Sequence, residues 1–245
     1  MHAAILELAD DHLVLGHRLS EWCGHAPMLE EDLALPNMGL DCLGTAETLY
    51  TRAGALEGQG RSADDLCYLR HEREYLNCLL VERPNKDFAH TVLKQLMFAA
   101  FMQPFWTAAS TSTDETVRGV AGKAVKEMGY HIRHAGEWVI RLGDGTDESA
   151  RRMAGAVADL APYRDELFES SPAAIEVEAA GVLPSRSALR PAWQMTMDEI
   201  LGEARITWPD VPQLSGGRGG LHGEQLGHML AEMQSLHRAH PGAVW

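Results

Sequence analysis

The residues best placed to do chemistry lie in the run KEMGYHIRHAGEW at 126–138, where Glu127, His131, His134 and Glu137 share a stretch of helical periodicity. Carboxylates and imidazoles on the inner faces of a helical bundle are the ligands of di-iron centres. Such centres take a carboxylate from each of two helices and Glu-x-x-His from each of two others. That three-residue spacing sets carboxylate and imidazole one turn apart on one face, so both reach one metal while the Glu bridges to the next. Here the spacing fails: Met128 stands three residues before His131, and Tyr130 stands three after Glu127. Glu127 and His131, four apart, share a face and are expected as a buried polar pair, a vestige of a metal half-site. No Glu-x-x-His occurs anywhere in the chain, and the apolar run DFAHTVLKQLMFAAFMQPFW offers no carboxylate after Asp87. Two irons short of carboxylates would leave positive charge uncompensated in a low-dielectric core, so a working di-iron centre is not expected.

Other clusters read as structure. Asp10, Asp11 and His12 are expected as a solvated acidic face with the imidazole tucked inward. Ser20, Glu21 and His25 are too local to argue a triad, which is recognised by geometry. His237 and His240 lack acidic or Cys partners nearby and read as a solvated helix end. Cys23, Cys42, Cys67 and Cys78 show no C-x-x-C pairing and are expected as buried small hydrophobes in a reducing compartment. Met97, Phe98, Phe101, Met102, Phe105 and Trp106 recur at helical spacing and read as core, or else as a face pressed on a partner subunit.

These side chains need helices to position them, and nearly every segment repeats its apolar residues at helical spacing, without period-2 runs flanked by hairpin turns. The expected fold is all-α. Helices are predicted over about 4–22, 29–53, 63–81, 88–110, 115–142, 148–168, 192–205 and 224–239. Pro36 is expected to kink or restart the second, and Asp87 to cap the fourth, the most apolar and therefore the most buried. The pattern weakens beyond residue 170, so 170–245 is expected as a helical arm on or beside a single bundle domain spanning 1–245. The LSGGRGG run at 214–220 lacks the phosphate-loop pattern and is expected as a flexible crossing. At 245 residues, 45% hydrophobic and 23% charged, the chain can bury a sizeable core unaided. The net charge of −14, with no basic run, argues against nucleic acid as partner. The N-terminus lacks a basic signal-like start and the most apolar stretch is too short to span a bilayer, so a cytoplasmic location and no membrane partner are expected.

Four stretches carry a resemblance: LGHRLSEWCGHAPMLEEDLALPN, YLRHEREYLNCLLVERPNKDFAHT, KEMGYHIRHAGEWVIRLGDGT and GLHGEQLGHMLAEMQSLHRAHPGAVW, which span nearly the full chain in order. Together they resemble the structural, non-catalytic C subunits of bacterial phenylacetyl-CoA epoxidase, a multicomponent monooxygenase of aerobic phenylacetate degradation. The resemblance implies a ferritin-like helical bundle distantly similar to the catalytic A subunit, whose di-iron centre epoxidises the ring with O2 and NADPH. It also implies where ligands are lost. With KEMGYH and TAETL as anchors, one Glu-x-x-His falls on Met128 and His131 and the other on Leu35 and Met38. A lone carboxylate falls near Ala99, and the first-helix carboxylate falls on Asp11 or His12.

What the resemblance implies is a scaffold that is itself catalytically inactive, carries no cofactor, and binds and stabilises the di-iron A subunit. The small B subunit and the flavin and iron–sulfur reductase complete that complex, and the chain in isolation is a candidate homodimer. Two other classes stay open on sequence alone: an autonomous di-iron carboxylate oxygenase or iron-binding protein, and a regulatory or storage bundle without oxygenase partners.

Overall fold

Two helices that are buried on nearly every side set the architecture, since the rest of the chain must cover them all round. In the computed structural model, which describes residues 1–243, these are α1 (His2–Ser20) and α5 (Phe88–Ala109). Every residue of α1 from Ala4 to Gly16 is buried, and every residue of α5 from Ala89 to Met102. α2 (Leu29–Glu57) lies along α1, α6 (Glu115–Gly143) lies along α5, and contact between α2 and α6 closes a four-helix bundle. α7 (Asp147–Leu160) packs on α5 and α6. No strand occurs among the described residues, and the fold is all-α, as a ferritin-like helical bundle requires. The helix starts follow from capping chemistry: Asp87 accepts the His90 amide at 3.0 Å, and Asp114 accepts the Val117 amide at 3.1 Å. Met97, Phe98, Phe101, Met102, Phe105 and Trp106 are all core.

Several predicted elements are corrected. Pro36 does not restart its helix: α2 runs unbroken through it, with Pro36 half-buried. The helix predicted over 63–81 is only α3 (Ala63–Tyr68) and α4 (Leu79–Glu82), with a single 3-10 turn, Glu72–Glu74, between them. Its backbone amides are taken by carboxylates from elsewhere: Leu76 by Asp10, Cys78 by Asp11 and Leu79 by Glu166, at 2.8, 2.8 and 2.6 Å. The helix predicted to 168 ends at Leu160 and continues as 3-10 turns, since Pro162 has no amide to give. Cys42, Cys67 and Cys78 are buried as expected, but Cys23 is exposed.

Beyond residue 170 lie α8 (Pro172–Ala179), α9 (Arg190–Glu203), α10 (Glu224–Met233) and α11 (Ser235–Ala239). α8 packs on α1, and α9 packs on α5 and α6. The Trp193 indole donates to the Met97 carbonyl at 2.9 Å, filling a hydrogen bond inside an apolar contact. The glycine run expected as a flexible crossing is instead a fitted one. Gly216 and Gly217 amides donate to Glu166 at 2.8 and 2.7 Å, and a Cβ on Gly217 would lie 2.2 Å from the Asn77 carbonyl oxygen. Only glycine allows two backbones so close. Positions 244–245, the end of the expected domain, lie outside the described residues.

Candidate functional site

The bundle centre is built from α2, α5 and α6, with α1 behind it. His131 projects from α6 and is fully buried; its Nδ1 accepts from Gln95 Nε2 of α5 at 2.9 Å, and its Nε2 donates to Asp41 of α2 at 3.1 Å. Both ring nitrogens are thus engaged. One turn back, Glu127 pairs with Lys123 at 2.7 Å, and one turn on, His134 meets Glu31 at 2.8 Å. The hydrogen bond from His131 holds the Asp41 carboxyl below the usual range against the effect of burial. Burial, together with the charge of Asp41 and against Lys123, raises that of Glu127.

The expected Glu127–His131 pair is therefore corrected. Asp41 is the carboxylate on His131, and Glu127 is half-buried and held by lysine, so the two expected partners belong to neighbouring pairs. Asp41 and Gln95 are the functional neighbours that sequence reading missed. Gln95 carried a signal, a polar residue one turn before Ala99 on a helix that is buried nearly all round. Around this polar line the side chains are apolar: Leu35, Met38, Ala99 and Met128 are in the core, none more than 1% exposed.

α1 divides its polar residues between two environments. His12 faces inward, its ring edge-on to Phe98 at 5.2 Å and beside Trp106 at 5.8 Å, and it donates to the Leu8 carbonyl at 2.8 Å. Burial lowers its pKa to about 4, so the imidazole is neutral near pH 7. Asp10 and Asp11, expected as solvated, are 0% exposed and face the C-terminal arm and the 69–79 segment. Asp10 takes Arg70 and the Tyr50 hydroxyl, and Asp11 takes Arg218 at 2.9 and 2.8 Å. One turn earlier, Glu7 takes Arg186 at 2.6 Å. The correction has a plain cause: the neutralising arginines are far away in sequence, out of reach of any local pattern. Nearby, Glu82 accepts from His222 at 2.8 Å and from the Gly223 amide at 2.8 Å, and the other ring nitrogen of His222 donates to the Tyr75 carbonyl at 2.8 Å. Burial would lower the His222 pKa, but these two acceptors outweigh it and the net shift is upward. His237 stacks on Tyr68 at 5.1 Å. Ser20 donates to the Gly16 carbonyl at 2.9 Å, and Glu21 takes Arg18 at 2.6 Å and the Asn85 side-chain amide at 2.8 Å, so neither stands in a triad.

A di-iron centre does not fit these residues. Leu35, Met38, Ala99 and Met128 have no oxygen or imidazole to offer, and His131 has both nitrogens committed. Among the described residues no three or more His, Cys, Asp or Glu side chains gather as a metal site needs. No helix among them is long and apolar enough to cross a membrane.

A helical bundle whose centre packs Leu35, Met38, Ala99 and Met128 around a hydrogen-bonded His131, where bundles of this architecture commonly hold metal, defines the class. Within it, the sequence matches the family described as "Phenylacetic acid catabolic protein" over residues 1–245, and the chain belongs to that family. It is similar to the C subunit of 1,2-phenylacetyl-CoA epoxidase from Escherichia coli (strain K12), 42% identical over 244 residues covering 99% of this chain and 98% of that protein.

Proposed function

We propose that this chain is the non-catalytic structural subunit of a phenylacetyl-CoA epoxidase complex, which epoxidises the ring of phenylacetyl-CoA with O2 and NADPH. In this reading it binds and stabilises a related di-iron catalytic subunit, alongside a small third subunit and a reductase. The observation that carries the reading is the replacement of ligand chemistry by core packing: Leu35, Met38, Ala99 and Met128 fill the centre of the bundle. Apolar side chains there remove the desolvation penalty that a cluster of unpaired carboxylates would impose. They leave a rigid bundle whose use is its surface. The family membership and the full-length likeness to the C subunit of the Escherichia coli epoxidase support the same reading.

Co-expression with the catalytic subunit, gel filtration and iron analysis of each fraction test it. The expected result is co-elution of the two chains, with iron following the catalytic subunit and none retained by this chain purified alone. Separate elution, with the catalytic subunit soluble and active by itself, overturns the scaffold role. Near-stoichiometric iron on this chain, lost on His131→Ala, would favour an autonomous iron protein instead.

A further inference from the structure

We propose that the outer stripe of α2 is a helix-docking seam, and that its occupant is a helix of a different protein with Lys or Arg flanking an apolar edge. Positions 29, 33, 36, 40, 43 and 47 succeed one another at alternating spacings of four and three, so they lie on one line along α2. Leu29, Leu33, Pro36, Leu40, Leu43 and Glu47 occupy them. Leu29 is 71% exposed, Leu33 59% and Leu40 64%. From Leu29 to Leu43 the line is about 21 Å long at the helical rise. It opens at either end on an apolar cleft. One, of ≈ 320 Å³, is lined by Met28, Phe88, Trp138 and Leu142; the other, of ≈ 230 Å³, by Leu13, Leu43, Ala46 and Tyr50. Scattered exposed leucines need no explanation, but leucines aligned at four-three spacing between two clefts form the holes that take the knobs of another helix.

Charge decides which helix. Of the acids of α2 from 29 to 47, Glu31 and Asp41 are held by His134 and His131, which leaves Glu30, Asp32 and Glu47 for the outer side, with no Lys or Arg on this stretch. Two copies laid seam to seam would set acid against acid, which is unfavourable at the margin of an interface. A helix of another chain with basic residues beside its apolar edge meets no such penalty. This inference rests on the epoxidase-subunit reading, in which the related catalytic subunit is that other chain.

The test is co-elution of the catalytic subunit with the wild-type chain, with Leu33→Glu/Leu40→Glu and with Met195→Glu, an exposed apolar residue on α9. The seam variant is expected to lose the partner while keeping the wild-type circular dichroism and melting temperature, and Met195→Glu is expected to retain it. Glu30→Lys/Glu47→Lys is expected to slow association and flatten its salt dependence. If the wild-type pair forms and the seam variant binds as well, the seam is overturned while the scaffold role stands. A wild-type pair that never forms overturns both. Sedimentation of the chain alone covers the remaining case: a dimer that Leu33→Glu/Leu40→Glu turns to monomer would assign the seam to a second copy and overturn the choice of partner.

Discussion

Asp11 gives its carboxylate to Arg218 and to the Cys78 amide, whereas His12, about 100° further round α1, turns a neutral ring into the apolar centre against Phe98. Each carboxylate on the outer side of α1 is buried with its own arginine, so removing one partner strands a charge in low dielectric. Arg218→Met is expected to lower unfolding free energy by about 3–5 kcal/mol in urea titrations. Adding Asp11→Asn is expected to recover a large part of that loss, because the stranded charge goes with it. His222 and Glu82 make a second kind of pair, one that titrates. The His222 pKa is raised above 6.5, so its contribution is full below 6.5 and is lost as pH rises through the folded value. Burial would raise the Glu82 pKa, but the His222 and Gly223 hydrogen bonds outweigh it and hold the value below 4.5. Its contribution is therefore full above 4.5 and is lost on acidification. The stability gap between wild type and His222→Gln is expected to be widest from pH 4.5 to 6.5 and to narrow on either side, as denaturation at stepped pH will read.

Helices were legible wherever an apolar stripe is written at helical spacing between clear caps, as in α6, where Asp114 caps the start and Val117, Ala121, Ala124, Met128 and Ala135 are buried in turn. They were not legible where tertiary acceptors capture the backbone. The segment 69–78 carries a helical pattern, yet Asp10 and Asp11 take amides that a helix would have used internally. The same long-range logic hid the candidate site. Leu35, Met38 and Met128 could be read as apolar from spacing, but Asp41 and Gln95 become partners of His131 only when α2, α5 and α6 come together. Glycines 216 and 217 looked like slack and are a close fit against Asn77 and Glu166. Gly217→Ala is expected to lower stability by about 1–3 kcal/mol or more, read by thermal melting, since the opposing atoms are backbone and cannot rotate aside.

At the scale of the whole molecule, the proposed scaffold role rests on surface, and the acidic α2 seam is the stretch proposed to carry it. The arm that crosses the bundle also sets an order of events. The charges of α1 are neutralised from far along the chain: Glu7 and Asp11 pair with Arg186 and Arg218, which are 179 and 207 residues downstream. Until those arginines are in place, the helix cannot be enclosed without burying uncompensated charge, and contacts of such sequence separation are slow to form. Closure of α1 therefore depends on the arm beyond residue 170 being in place. A chain cut before Arg186 would lack both arginines and strand the carboxylates of Glu7 and Asp11, so the arm completes the first helix electrically as well as covering it.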